Sequence, residues 1–112
     1  MLFSVVAYAQ TVHRVTNGMN LQTVIDNAAS GDVILVEGGN YGNIELVKTL
    51  SLYGTGYFLT QSATAGSSVV ADVLFKSGSQ GSIITGFIAN NINIGVSNIG
   101  IRRNNVNYIR IV

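Results

Sequence analysis

The segment from residue 20 to residue 41 restricts the fold more than any other part of the chain. Its apolar residues recur at the i, i+3, i+4, i+7 and i+8 spacing of a one-sided helix: Leu21, Val24, Ile25, Ala28 and Ala29. Asn20 is placed to cap the start of this helix, and Gly31 is placed to stop it. The sequence therefore predicts a cap helix over about residues 21–29, which is too short to persist alone in water and must cover an apolar surface.

Only strand-sized runs follow this helix, and Gly, Asn or Ser separates nearly all of them. The runs are 33–36, 44–47, 50–53, 57–59, 69–75, 83–88, 92–94, 99–101 and 109–112. Residues 92–94 match 73–75 at an offset of 19 and 109–111 at an offset of 17, and Ile84 matches Ile101 at the same offset of 17. Short strands that repeat at a period near twenty predict a coil with three faces per rung.

These patterns favour an all-β chain, a parallel β-helix (a solenoid) whose N-terminal α-helix covers the first coil. Without that cover, the apolar end of the coil and its unpaired backbone groups would face water. An antiparallel sandwich or barrel is the alternative, since it also has short strands at regular spacing. Asn17-Gly18 is the only Asn-Gly or Asp-Gly hairpin pair, and it precedes the helix. Nothing in an antiparallel sandwich requires repeats of constant length, whereas each coil of a solenoid does. We therefore favour the solenoid.

The length of 112 residues suits one domain, and an apolar content of 47% argues against disorder. We expect a β-helix domain over residues 10–112, with the cap helix and then roughly four rungs. Residues 1–9 form an apolar run that ends in Ala7-Tyr8-Ala9, which is the form that signal peptidase cleaves. They are interpreted as the remnant of a signal peptide, although no Lys or Arg precedes the run; an ordinary strand is the alternative. The run is too short to span a bilayer.

The end of the chain, Ile109-Arg110-Ile111-Val112, reads as a strand in the middle of a rung. No helix, Pro or charged run covers it, whereas a solenoid needs a polar cap at each terminus. We therefore expect either that the β-helix is incomplete at its C-terminus, as a fragment of a longer protein, or that it self-associates through this uncapped rung.

The chain shows no recognisable catalytic residues, metal ligands or cofactor site. It has no cysteine, five scattered acidic residues and one histidine, His13, which we interpret as a surface residue. The net charge of +1 gives no reason to expect a nucleic-acid partner. We interpret seven asparagines between 90 and 107 as turn formers or as side chains that bond from rung to rung.

Three residues are weak candidates for binding substrate. Arg102 and Arg103 carry guanidinium groups, which match a carboxylate with two parallel hydrogen bonds. Tyr53 offers an aromatic face for a sugar ring. The alternatives are arginines that are simply solvated and a tyrosine that packs against the first rungs.

Several sequence segments resemble the N-terminal part of proteins of the pectate-lyase-like superfamily. They are the cap segment 21–36, Gly39-Asn40-Tyr41, and 48–54, followed by the more generic 84–88 and 98–106. The resemblance implies a right-handed parallel β-helix that is secreted, periplasmic or on the cell surface and that binds or processes acidic polysaccharide. An enzyme of this kind would be a polysaccharide lyase or a glycoside hydrolase. The Asp-Asp and Gly-His-Gly motifs of the hydrolases are missing from this sequence. The alternative is a non-catalytic structural or adhesin-type surface β-helix.

Overall fold

The computed structural model describes residues 11–55 and 66–111, which form one short helix and ten strands. In chain order these are β1 (Val12–Val15), α1 (Leu21–Asn27), β2 (Val33–Val36), β3 (Gly39–Asn40), β4 (Ile44–Leu46), β5 (Ser51–Tyr53), β6 (Ser68–Phe75), β7 (Ile83–Thr85), β8 (Phe87–Ile94), β9 (Gly100–Arg102) and β10 (Asn105–Ile111). Every strand pairing that the structure shows is parallel. The all-β parallel β-helix with a capping helix is therefore confirmed.

Two parallel sheets run along the solenoid. The first has the order β1-β2-β5-β7-β9, and the second has the order β10-β8-β6-β3 with β4 also paired to β6. Four strands of the first sheet follow the helix, and β1 precedes it. The first sheet consequently passes through five successive coils.

The second sheet bends into two faces. β3 pairs with the first half of β6, and β4 pairs with its second half. Between these halves the alternation of buried and outward residues breaks, because Ala71 and Asp72 are both only partly buried. Asn90 and Asn91 repeat this break one rung further on. With the first sheet, the coil thus has the three faces that the sequence period predicts.

The rung register follows the predicted offsets. Val73 lies opposite Ile92 at an offset of 19, and Ile92 lies opposite Ile109 at an offset of 17. Ile84 lies opposite Ile101, also at 17. The sequence repeats therefore correspond to columns of stacked side chains, in which Ile84 stacks on Ile101, as their shared offset indicates.

The core is built from such inward columns. Within the first sheet Ile34, Leu52 and Ile84 are fully buried, and within the second sheet Ile44, Val73 and Ile92 are buried to the same degree. In the last coil the inward side chains are no longer covered, since Ile109 is 54% exposed and Ile111 is 81% exposed. Burial of aliphatic columns supplies the main stabilisation of the coils in between.

The cap helix begins as predicted and ends earlier. The Asn20 side-chain oxygen accepts a hydrogen bond from the Thr23 backbone N–H at 3.0 Å, which confirms the N-cap. The helix ends at Asn27 instead of about residue 29, because Ala28 turns to an extended backbone at φ −74 and ψ 154. Lys48 Nζ donates to the carbonyl oxygens of Asp26 at 2.8 Å and Ala28 at 2.7 Å. Its positive charge lies where the helix dipole favours a cation.

The helix also covers the open edge of β4. Leu21 and Ile25 bury their side chains in the core. Gln22 Nε2 donates to the Glu45 carbonyl at 3.0 Å, and the Glu45 backbone N–H donates to Gln22 Oε1 at 2.7 Å. The side-chain amide therefore takes the place of a neighbouring strand at this edge.

Some predicted boundaries are wrong. The run 83–88 is two strands, because Gly86 has a φ of +84 and turns the chain between β7 and β8. A Cβ at Gly54 would lie 2.6 Å from the Gly86 carbonyl oxygen, so glycine is required where these two coils turn together. β10 starts at Asn105, four residues before the predicted strand at 109. The predicted strand at 57–59 and the signal-peptide remnant at 1–9 lie outside the described residues.

Candidate functional site

The three candidate residues from the sequence lie together in one groove on the outer side of the first sheet. Tyr53, Thr85 and Arg102 lie opposite one another on β5, β7 and β9. With Ile83 and Arg103 they line a cavity of about 240 Å³. We call this set the arginine groove. The residue types alone made Tyr53, Arg102 and Arg103 candidates for binding, and the rung register brings them together.

The backbone at Arg103 explains why two consecutive arginines line the same groove. Successive side chains of a strand point to opposite faces, so Arg103 would leave the groove if β9 continued. Instead Arg103 has a φ of +54, a left-handed conformation that costs a non-glycine residue roughly 1–2 kcal/mol. Asn104 holds this turn, since its Oδ1 accepts from the Phe87 N–H at 2.8 Å and its Nδ2 donates to the Ile84 carbonyl at 2.9 Å.

The arginine groove offers positive charge beside an aromatic ring. Arg102 and Arg103 are exposed, Tyr53 and Ile83 are half-buried, and Thr85 is buried at the floor. No carboxylate side chain is among the described residues that line it. Guanidinium groups in this setting suit a planar anion such as a carboxylate or a sulfate.

Two exposed cations elsewhere in the described residues lie beside carboxylates. Arg14 Nε lies 3.2 Å from Glu37 Oε2, and Lys76 Nζ lies 3.4 Å from Glu45 Oε1. Arg14 occupies the same outward column as Arg102, at the far end of the first sheet. Arg14 is therefore an arginine on the same outer face that does not line the arginine groove, and its substitution can serve as a control.

Glu45 and Asp72 lie on neighbouring strands without facing each other. Leu74 is opposite Glu45, and Asn91 is opposite Asp72. Glu45 pairs with Lys76, and Asp72 Oδ1 accepts a hydrogen bond from Asn91 Nδ2 at 2.9 Å. Glycoside hydrolysis needs two carboxyl groups that face one bond, and this register does not bring these two into that arrangement.

His13 and Asp32 form a pair that the sequence analysis missed. His13 Nε2 lies 2.9 Å from Asp32 Oδ2, and Asp32 also accepts from the backbone N–H groups of Ala29 at 2.9 Å and Thr11 at 3.1 Å. The hydrogen bond from His13 and then that from Ala29 lower the pKa of Asp32 below its ordinary 3.8, against the opposing effect of burial. The strand register places His13 opposite Ile34, and Asp32 lies two residues before Ile34, so the two side chains meet across one rung.

The asparagines serve the structure in the two ways that the sequence predicts. Asn98 adopts the left-handed conformation with a φ of +61. Asn107 Nδ2 donates to Asn90 Oδ1 at 2.9 Å across one rung, and Asn91 does the same to Asp72. The side-chain amides therefore link adjacent coils.

Residues 11–55 and 66–111 contain no group of three or more His, Asp or Glu side chains that could hold a metal ion. No helix among them is long and apolar enough to cross a membrane.

The comparisons with known proteins leave the family open. No protein-family model matches the chain, and neither the curated proteins nor the solved structures yield a match. The β-solenoid fold accordingly stands on the strand pairings described above, and membership of the pectate-lyase-like superfamily stays a prediction.

Proposed function

We propose that this protein is a secreted or cell-surface β-helix module that binds acidic polysaccharide in the arginine groove. The observation that carries the proposal is that the rung register brings Arg102, Arg103 and Tyr53 together in one groove. The left-handed backbone at Arg103 adds support, because strained residues cluster at functional sites. The resemblance to polysaccharide-binding β-helices points to the same class of ligand.

The chemistry of the groove fits a uronate or sulfated sugar. A guanidinium group binds a carboxylate with two parallel charge-assisted hydrogen bonds, and the ring of Tyr53 can cover the apolar face of the sugar. Because both arginines are exposed, salt screens their attraction for a single sugar. A polymer compensates for weak single contacts, since neighbouring sugars rebind at high effective concentration.

The direct test is electrophoresis of the folded protein through native gels that contain polygalacturonate. We expect retardation that weakens as salt rises and that falls at least about tenfold in apparent affinity in the Arg102→Gln/Arg103→Gln variant, since one lost bidentate contact is worth about 1.4 kcal/mol or more. Arg14→Gln is the matched control, because Arg14 lies in the same outward column away from the groove. Equal retardation of all three proteins would refute the proposal.

A lyase activity would be seen in the same preparations as unsaturated sugar ends that absorb ultraviolet light. Retardation without such release indicates a binding module, which is the outcome we expect. This assay separates binding from processing.

The second candidate is a non-catalytic structural or adhesin-type module that associates through its last coil. The exposed isoleucines of β10, Ile109 and Ile111, favour it. In the described part of the chain, no strand pairs with the outer edge of β10. We propose a second copy as the partner of this apolar edge.

A further inference from the structure

A second groove lies on the first face of the bent second sheet and shares no lining residue with the arginine groove. It runs over the outer side of the first halves of β6, β8 and β10 and has a volume of about 330 Å³. Its polar lining is made entirely of side-chain amides, from Asn40, Asn90, Asn105 and Asn107. We call it the amide groove.

The rung register arranges this groove in two columns. One column runs Asn40, Val69, Ile88 and Asn105, with an amide at each end and aliphatic side chains between them. Three rung spacings separate its ends, which is about 14 Å at the usual distance between strands. Beside it, Asn90 and Asn107 stand one rung apart.

The bond between these two asparagines fixes how the groove presents its polar atoms. Asn107 Nδ2 donates one hydrogen to Asn90 Oδ1 at 2.9 Å. Since an amide carries two donor hydrogens and an oxygen with two lone pairs, this bond leaves the NH₂ group of Asn90 as a donor and the oxygen of Asn107 as an acceptor for a ligand. Both side chains are exposed.

The occupant that fits this groove is an uncharged, polyhydroxylated chain. The described residues that line the groove include no charged side chain, so they give an anion no cation to pair with. Sugar hydroxyls need donors and acceptors at the same time, and amides supply both. Ile88, which is 39% exposed, and Val69 offer an aliphatic strip for the C–H face of a sugar ring. We infer that the amide groove is a binding site for a neutral glycan, separate from the anion site proposed for the first sheet.

The test uses native gels that contain hydroxyethylcellulose, galactomannan or dextran, with a plain gel as reference. We expect at least one of these uncharged polymers to retard the protein and the Asn90→Ala/Asn107→Ala variant to lose at least tenfold in apparent affinity. Asn93→Ala is the matched control, because Asn93 lies on the other half of β8. Failure of all three polymers to retard the protein overturns the inference, as does unchanged retardation of the double variant.

Further measurements distinguish this site from the arginine groove and from unfolding. The double asparagine variant should keep its retardation by polygalacturonate, and Arg102→Gln/Arg103→Gln should keep its retardation by the neutral polymer. Loss of neutral binding in both variants would contradict two separate sites. If the double variant has a lower melting temperature, Asn105→Ala at the other end of the groove replaces it and must also weaken neutral binding. Failure of polygalacturonate binding alone refutes the arginine-groove proposal and leaves this one standing.

Discussion

At the residue scale, Asp32 joins three parts of the first coil. Its carboxylate accepts hydrogen bonds from Thr11, His13 and Ala29, so it ties β1 to the turn after the cap helix. A carboxylate held in this way favours its ionised form. The pH dependence of folding should therefore contain a contribution from this side chain.

We expect the free energy of unfolding to fall as the pH drops below about 3.8. The native pKa of Asp32 lies below that ordinary value, so its contribution is fully present above the unfolded pKa and is lost as the pH falls through the native one. Urea unfolding at a series of pH values measures this slope. Asp32→Asn should flatten it, and His13→Gln should flatten it less, because the two backbone donors remain. An Asp32→Asn variant with the wild-type slope would contradict this.

A second prediction at this scale concerns Ile84, which is fully buried in an inward column. Ile84→Asp places a charge among Leu52 and Ile101 and should lower the free energy of unfolding by more than about 4 kcal/mol, enough to unfold a domain of this size. Ile88→Asp is the control, since Ile88 points outward and is 39% exposed. Circular dichroism during heating compares the two. Equal melting temperatures would show that the inward column is wrongly assigned.

At the scale of elements, the cap helix is fixed to the solenoid by a side chain as well as by its apolar face. Gln22 forms two hydrogen bonds with the backbone of Glu45 at the open edge of β4. We expect Gln22→Ala to lower the free energy of unfolding by about 1–2 kcal/mol, because each such bond contributes about 1 kcal/mol net. Denaturant titration measures the change.

The control for this prediction is Thr23→Ala, which shortens the next, exposed helix residue. Its side chain has no part in the contact with β4, and alanine is the better helix former. We expect Thr23→Ala to keep or slightly raise the stability. A Gln22→Ala variant as stable as Thr23→Ala would contradict a contribution from the contact with Glu45.

The sequence predicted those helices and strands whose apolar periodicity is contained within the element itself. The cap helix and strands such as β2 and β6 carry their own apolar periodicity, and the repeat offsets gave the register of Ile84 and Ile101. β3 and the first half of β10 were missed, because Gly39–Asn40 and the asparagines after 104 read as turns. They are strands because β6 and β8 offer them paired edges.

In the arginine groove too, the local sequence predicted part of the site, and long-range contacts determine the rest. Residue type alone named Arg102, Arg103 and Tyr53 as candidates. Their meeting depends on the left-handed turn at Arg103, which Asn104 holds through contacts with Phe87 and the Ile84 carbonyl. These contacts join residues 17 and 20 positions apart, so no short window of sequence contains them.

At the scale of the whole molecule, the two ends of the described solenoid differ. The helix covers the first coil, and the inward columns of the middle coils are closed by their neighbours. In the last coil Ile109 and Ile111 continue the inward columns of Ile92, which is buried, and Ile94, which is partly buried, yet they are 54% and 81% exposed. An apolar strand with an unpaired edge is prone to pair with another chain.

We therefore expect the 112-residue chain to associate as its concentration rises, through β10 of one copy against β10 of another. Light scattering over a hundredfold range of concentration should show an increasing mean mass. Ile109→Lys/Ile111→Lys should keep the protein monomeric over that range, because like charges then meet on a surface that was apolar. Ile88→Lys, which places one lysine on the outer side of a middle coil, should associate as the wild type does. A wild type that remains monomeric throughout, or an Ile88→Lys variant as monomeric as the double variant, would contradict association through the last coil.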